Sequence, residues 1–473
     1  MVWPRLLHCL LLPISGSARS DSLLQQQAEV PPYSEPAATA RRRGFFFAAS
    51  LLLVFALAKF VYQDTFRLAY PVNDLTTPWV SSKTFMLGKN PYSDIQEFER
   101  IWAATPISKP SLCSDIPCIL SAYPMAYPPT ALALIAPLGL VPWRTAVYAY
   151  LAGSAVLVLG ALLLLAQKLR FPWRDPRKFY FIAFALALAP LHSSIHEVNL
   201  NTAVIACLCA AIGFMSTRPY LSGIAIAIGM CLKPQVAIFF FAYPWLRKKW
   251  KTAFAALAAG MAISAGSLIW MSVHHVHWLK AYLSELSQFS SPQVSANFYY
   301  YAERGNFQLL NLQILAFQLT HSPRWSSILS WSTFTLFAAI SVFLICTRVS
   351  EKNESIGIAI ISILTLLPFY QRYYTAEILL FVLFWAVENW RLKSAKATHL
   401  LMLPLLLPLA AMTENVSVVA RFVQEKHLES NFIWNGFVMP HVIWIELLLL
   451  LLLLANLYRQ ARAPAAMRAC RDA

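Results

Sequence analysis

The stretch "YPPTALALIAPLGLVP", residues 127–142, decides how the whole chain is threaded. It is apolar, but prolines bound it and it is short for a helical span, which needs about 20 residues to cross about 30 Å of hydrocarbon. It reads as a re-entrant or broken helix, a form tolerated only where protein or water covers the backbone. The basic clusters support that reading: "RRR" at 41–43, "KLRFPWRDPRK" at 168–178, "RKKWK" at 247–251, "RLKSAK" at 391–396, and scattered arginines after 459. Short loops rich in Lys and Arg favour the cytoplasmic face. If 127–142 does not cross, every cluster falls on that face; if it crossed, those at 168–178 and 247–251 would point outward.

The composition demands a membrane. The chain has 473 residues, 58% of them hydrophobic and only 13% charged, with a mean hydropathy of +0.54. Soluble domains of ordinary size cannot hide so much apolar surface. The sequence thus predicts an all-α polytopic membrane protein with about twelve transmembrane helices. The spans fall near 44–63, 145–166, 179–195, 199–215, 219–232, 235–246, 252–272, 327–347, 355–369, 375–390, 398–412 and 436–458. External loops at about 64–126 and 273–325 carry interfacial helices. Residues 1–43 read as a disordered cytoplasmic tail, 44–458 as the membrane domain, and 459–473 as a basic cytoplasmic tail. The formal charge of +16 does not indicate nucleic acid, because the basic residues are scattered through short loops and not gathered on one soluble domain.

"LLHCLLLPISGSARS" near the N-terminus resembles a weak signal peptide, but cleavage there would send "RRR" outward, against the charge rule. Cys207, Cys209, Cys231 and Cys346 lie in apolar runs and read as small buried thiols. Cys113 and Cys118, in "CSDIPC", fall in an external loop where oxidation is permitted; whether they pair is open. No spacing resembles a zinc site.

This threading collects the polar chemistry on the external side. "AYPVNDLTTPWVSSKTFMLGKNPYSD", residues 69–94, places Asp74 about ten residues beyond the first span, followed by Lys83, Asn90 and Tyr92. Its apolar positions suggest a helix lying at the interface, then a turn set by Gly88, Asn90 and Pro91. Asp74 either caps that helix or stands at the lip of a cavity. Lys233, in "GMCLKPQVAIFFF", is flanked by apolar sequence, where an ammonium faces a cavity or an anion, or snorkels to the surface. In "IHEVNLNTAV", Asn199 caps the following helix and Glu197 reads as a paired or ligand-facing acid. His192 and His196 share a helix face but have no third ligand for a metal. Arg372, in "YQRYY", suits a phosphate or anchors the interface, and Arg304 lies in the long external loop.

Several of these stretches together resemble a known family. "ND-L-x-x-P-W…L-G-x-N-P-Y", then "Y-P-P-x-x-A-L-x-L-x-A-P-L-x-L-V-P" opening on Tyr127, then "E-V-N-L" and "L-K-P", are similar to the polytopic glycosyltransferases of family 87 in the GT-C superfamily. The likeness covers about residues 45–390. It implies a GT-C-like fold and transfer of a sugar, commonly mannose and sometimes arabinofuranose, from a polyprenyl phosphate on the outer membrane face. It implies no cofactor and no metal. The family's catalytic carboxylate lies in the first external loop, where Asp74 aligns as the base that deprotonates an acceptor hydroxyl of a glycan or glycolipid. Lys233, Arg372 and Arg304 are the expected donor-phosphate ligands. Lys83, Asn90, Tyr92, Tyr127, Glu197 and Asn199 are the expected substrate contacts. Two departures stand out: the family's "G-Q-x-N" is His196-Glu197-Val198-Asn199 here, and "QRYYTAE" stands where relatives often carry a His or Asp beside aromatic residues.

A lipid-linked donor needs a lateral groove for the prenyl chain, cations for its phosphate and one general base. The competing reading is a multi-pass transporter or lipid flippase, since broken helices and a buried lysine occur in such proteins too. Long external and short internal loops, with no visible inverted repeat, count against it. The charge pattern and the likeness together predict an enzyme of the plasma membrane with its site facing outward.

Overall fold

A computed structural model describes residues 35–66, 74–93, 100–101, 127–288, 309–389, 425–426, 431–438 and 440–469. The expected sites at Arg304 and Cys113–Cys118, the cluster at 391–396 and the span at 398–412 lie outside these. The chain divides into two compact units, Met1–Ala48 and Ala49–Ala473. In the first, the described residues are the opening turns of helix α1 (Glu35–Phe66); the rest of α1 and all the other described elements belong to the second.

The described residues are helical, with one isolated antiparallel bridge between Leu309 and Arg372. Five helices are long and apolar enough to cross a membrane: α1 over Gly44–Tyr62, α4 (Trp143–Lys168), α10 (Trp250–Val273), α13 (Pro323–Arg348) and α16 (His441–Ala469) over His441–Arg459. A bent pair, α5 (Pro176–Ala187) and α6 (Ala189–His196), is a sixth if it counts as one span. The other expected crossings are shorter apolar helices: α7 (Asn201–Phe214), α8 (Pro219–Leu232), α9 (Pro234–Leu246), α14 (Glu354–Leu366) and α15 (Leu380–Glu388). The proline-bounded stretch at 127–142 forms α3 (Pro129–Gly139). At 11 residues it is about 16 Å long, half of what a crossing requires.

Local signals explain where these helices start and stop. Asp175 caps α5 by accepting from the Arg177 N–H, with Pro176 in the first turn where its missing N–H is no loss. Ser322 caps α13 in the same way. Pro190 cannot donate to the Leu186 carbonyl and its ring crowds it, so the chain bends by 47° between α5 and α6. Large apolar side chains on α4, α10 and α13, among them Val156, Ile269 and Phe343, are exposed, as lipid-facing surfaces require. By contrast α14 is buried on every face from Ser355 to Leu366, the signature of a helix inside a bundle.

The elements also set a polarity along the bundle. At one end, Arg170 pairs with Glu388 at 3.3 Å and Lys249 with Glu354 at 2.6 Å, Lys168 donates to Ser216, and Arg247 donates to the Ile345 carbonyl. Helix α8 starts at this end, where Gly223 packs against Thr252, Ala255 and Ala256 of α10. Lys233, ten residues further, is therefore about 15 Å along the bundle from the basic end.

Candidate active site

Three breaks in helical structure supply the site. Pro234 lacks an N–H and disfavours helical backbone in the residue before it. Helix α8 therefore stops at Leu232, Lys233 takes an extended conformation (φ −143°, ψ 86°), and α9 restarts on Pro234. The break leaves Lys233 at the joint, 6% exposed. The second break ends α6. Asn199 N–H donates to the Ser194 carbonyl and Val198 N–H to that of Ile195, the two bonds of a Schellman motif. Glycine usually occupies the left-handed position of that motif, but here Val198 does, at φ 51°. A β-branched residue there is strained, by about 1–3 kcal/mol. The third break is the turn before α2 (Thr76–Met86), which carries Asp74.

These breaks converge on one hydrogen-bonded chain. Asp74 N–H donates to the Glu197 carbonyl at 2.9 Å. Asn199 Nδ2 donates to Asp74 Oδ2 at 2.6 Å, and Lys233 Nζ donates to Asn199 Oδ1 at 2.7 Å. Asn199 Oδ1 also accepts the Asn201 N–H at 2.9 Å, but Leu200, not Asn199, occupies the N-cap of α7 and no side chain caps that helix. The Tyr150 hydroxyl donates to the Asn199 carbonyl at 2.6 Å. The alternative role for Asp74 fails, because Leu75 occupies the N-cap of α2 and no side chain caps that helix.

Cations and aromatic rings enclose the chain. Lys233 Nζ stands 5.0 Å from the Tyr374 ring centroid, within cation–π range. The Asp74 and Glu377 carboxyl groups and the Arg372 guanidinium lie around Lys233. Arg372 Nε donates to the Tyr370 hydroxyl at 2.5 Å, and its strand-like segment is pinned by Leu310 N–H donating to the Gln371 carbonyl at 3.0 Å. Tyr127 faces the same group: burial, then the Asp74 carboxylate, push its phenol well above the ordinary range.

The remaining expected residues stand further out. Asn90 Oδ1 accepts the Tyr92 N–H and Asn90 Nδ2 donates to the His277 carbonyl, both at 3.1 Å. Tyr92 donates from its hydroxyl to the Tyr127 carbonyl at 2.9 Å and packs on Tyr282, so the "NPY" turn props Tyr127 from behind. Burial, with Tyr282 beside it, raises the Tyr92 phenol far above its ordinary value. Lys83 lies over the Trp79 ring at 5.1 Å. The Glu197 carboxylate sits 3.4 Å from His196 Nδ1, and it is the Glu197 carbonyl that meets Asp74. Among the described residues, no three of His, Cys, Asp or Glu converge as metal ligands. Cys207, Cys209, Cys231 and Cys346 are free thiols.

Two further residues belong to this network. Glu377 is fully buried and accepts from Asn201 Nδ2 at 2.6 Å. The signal for Glu377 was present in "YYTAEILLFV", an acid within an apolar run. Nothing in the sequence distinguished Asn201 from an ordinary helix-start residue.

A strained turn, a carboxylate held by an amide that a lysine holds in turn, and a nearby arginine make a polar cluster within an apolar helical bundle. The sequence model of glycosyltransferase family 87 matches residues 126–369, half of the chain, and the chain belongs to that family. No curated protein and no solved structure matches it. The matched region includes Tyr127, Glu197, Asn199 and Lys233 but begins after Asp74 and ends before Arg372. The placement of those two therefore rests on the geometry.

Proposed function

We propose that this glycosyltransferase moves a sugar, mannose in the first instance, from a polyprenyl-phosphate donor to a hydroxyl of a glycan or glycolipid acceptor on the outer face of the plasma membrane. Asp74 takes the hydroxyl proton as the acceptor oxygen attacks the anomeric carbon. The bond from that carbon to the phosphate oxygen breaks, and polyprenyl phosphate leaves. A single displacement inverts the anomeric centre. Lys233, Arg372 and Arg304 bind the phosphate, and Lys83, Asn90, Tyr92, Tyr127, Glu197 and Asn199 shape the substrate pocket. The membrane domain, 44–458, threads about twelve times in a GT-C-like arrangement between two cytoplasmic tails, 1–43 and 459–473.

The observation that carries this reading is the Asp74–Asn199–Lys233 chain. A carboxylate that caps no helix is held by an amide, with its other oxygen left for an acceptor. An alcohol becomes a competent nucleophile only as its proton is removed, and an ionised carboxylate within hydrogen-bond reach is the group to remove it.

The test is Asp74→Asn in the purified chain, reconstituted in lipid with labelled polyprenyl-phosphate sugars and candidate acceptors. The substitution keeps the shape and an acceptor for Asn199 but removes basicity. The variant should fold, bind donor and lose about 10²–10⁴-fold in transfer. Near-normal turnover would overturn the role of Asp74, and movement of donor across the bilayer without transfer would favour a flippase.

A further inference from the structure

Glu377 and Asn201 face each other side chain to side chain, and together they leave two buried acceptors unsatisfied. Asn201 Nδ2 donates to Glu377 Oε1 at 2.6 Å. The atoms without a hydrogen bond are Asn201 Oδ1 and Glu377 Oε2, the other half of the same pair. An ionised carboxylate can only accept, so neither atom could then satisfy the other. We propose that Glu377 is held as the neutral acid, its proton joining Oε2 to Asn201 Oδ1 in a cyclic acid–amide pair. The pair makes Glu377 a positioning residue for the Asp74 site.

The surroundings agree. An apolar cavity lined by Val158, Leu162, Leu188, Leu191, Ile205 and Leu380 lies against the carboxyl, and an isolated charge there is expensive. The groups facing Glu377 are Lys233, Tyr150, Cys209, Ser194 and Asn201. The Ser194 hydroxyl, which accepts from Thr202 at 2.7 Å, is close but leaves Oε2 without a hydrogen bond. Lys233, the one cation of this set, has its own acceptor in Asn199 Oδ1.

The consequence is a charge balance and a fixed geometry, and their functional meaning rests on the proposed role of Asp74. With Glu377 neutral, the positive charge of Lys233 is left for Asp74 and the donor phosphate. The pair also locks Asn201, whose N–H fixes Asn199 Oδ1, so that Nδ2 of the same amide points at Asp74. A buried acid kept neutral in order to donate a hydrogen bond is an established device.

The experiment is infrared difference spectroscopy on the full chain in detergent, in H2O and D2O, comparing wild type with Glu377→Gln. A protonated-carboxyl band that shifts in D2O should be present in wild type and lost in the variant. Glu446, buried with no hydrogen bond on either oxygen, contributes equally to both and cancels. Gln reproduces the pair, its Nε2 donating to Asn201 Oδ1, so E377Q should fold and retain most of the transfer activity. Glu377→Leu and Asn201→Leu should each lose about 10²-fold through misplacement of the base. Loss of ionised-carboxylate bands in E377Q, failure of E377Q to fold, or activity as low as that of E377L would overturn the proposal. The spectroscopic arm needs no substrate, so a wild-type chain without transferase activity would refute the function while the infrared bands still decide the protonation state.

Discussion

Asn199 uses every polar atom of its side chain: Nδ2 donates to Asp74, and Oδ1 accepts from Lys233 and the Asn201 N–H. That set of partners fixes which way the amide points. Lys233 thus has two roles in prospect, holding Asn199 and binding donor phosphate. Lys233→Ala removes a charge-assisted contact worth about 1.5–3 kcal/mol and should raise KM for the donor and lower kcat together, whereas Asn199→Ala should act mainly on kcat. Because the two share one hydrogen bond, the double variant should fall short of the summed losses by about 0.5–3 kcal/mol in transition-state free energy. Steady-state kinetics of the four proteins read this directly. Strict additivity would show that Lys233 acts on the donor without Asn199.

Among the helices, the polar side chains of the proposed site gather where regular structure stops. Pro234 breaks α8 from α9 at Lys233, and the Schellman turn at Val198 ends α6 beside Asn199. Helix α3 is held against α2 by a close approach at Gly139, where an added Cβ would lie 2.7 Å from Ser82 Oγ and 3.0 Å from the Lys83 backbone nitrogen. The backbone on one side must move to admit it. Gly139→Ala should therefore destabilise the protein by about 1–3 kcal/mol through overpacking, seen as a lower Tm in detergent. Because α3 begins beside Tyr127, transfer activity should fall as well. An unchanged Tm would mean that the two helices part at no cost.

The bundle as a whole has a basic end and a site end. Helix α10 runs between them: its first turn follows Lys249, paired with Glu354, and its far end meets the turn of Asn90, which donates to the His277 carbonyl. Its 24 residues reach about 36 Å, enough to cross the hydrocarbon core. The charge rule then predicts which face is which. In a cysteine-free background, Lys89→Cys should react with an impermeant thiol reagent applied from outside, and Lys251→Cys only after the membrane is opened. The opposite pattern would invert the threading and with it the outward placement of the site.

Features that depend on composition and on neighbours along the chain were readable without the fold. Apolar runs of sufficient length made the helices, prolines marked their breaks, and Arg and Lys clusters gave the bundle its polarity. A carboxylate beyond the first span, a lysine before a proline and a polar turn at Glu197–Asn199 were all legible as candidates, because each is costly in an apolar setting and so stands out. Their order of assembly was not legible. Nothing local distinguishes an Asp74 that caps α2 from one that reaches Asn199, 125 residues away, since both need the same side chain at the same place. Glu197 read as a paired or ligand-facing acid; its carboxylate lies beside His196, and the turn at Val198 presents its carbonyl to Asp74. The pairing of Glu377 with Asn201 joins residues 176 positions apart. A hydrogen bond depends on distances of a few tenths of an ångström between side chains, and only the packed helices fix distances that small.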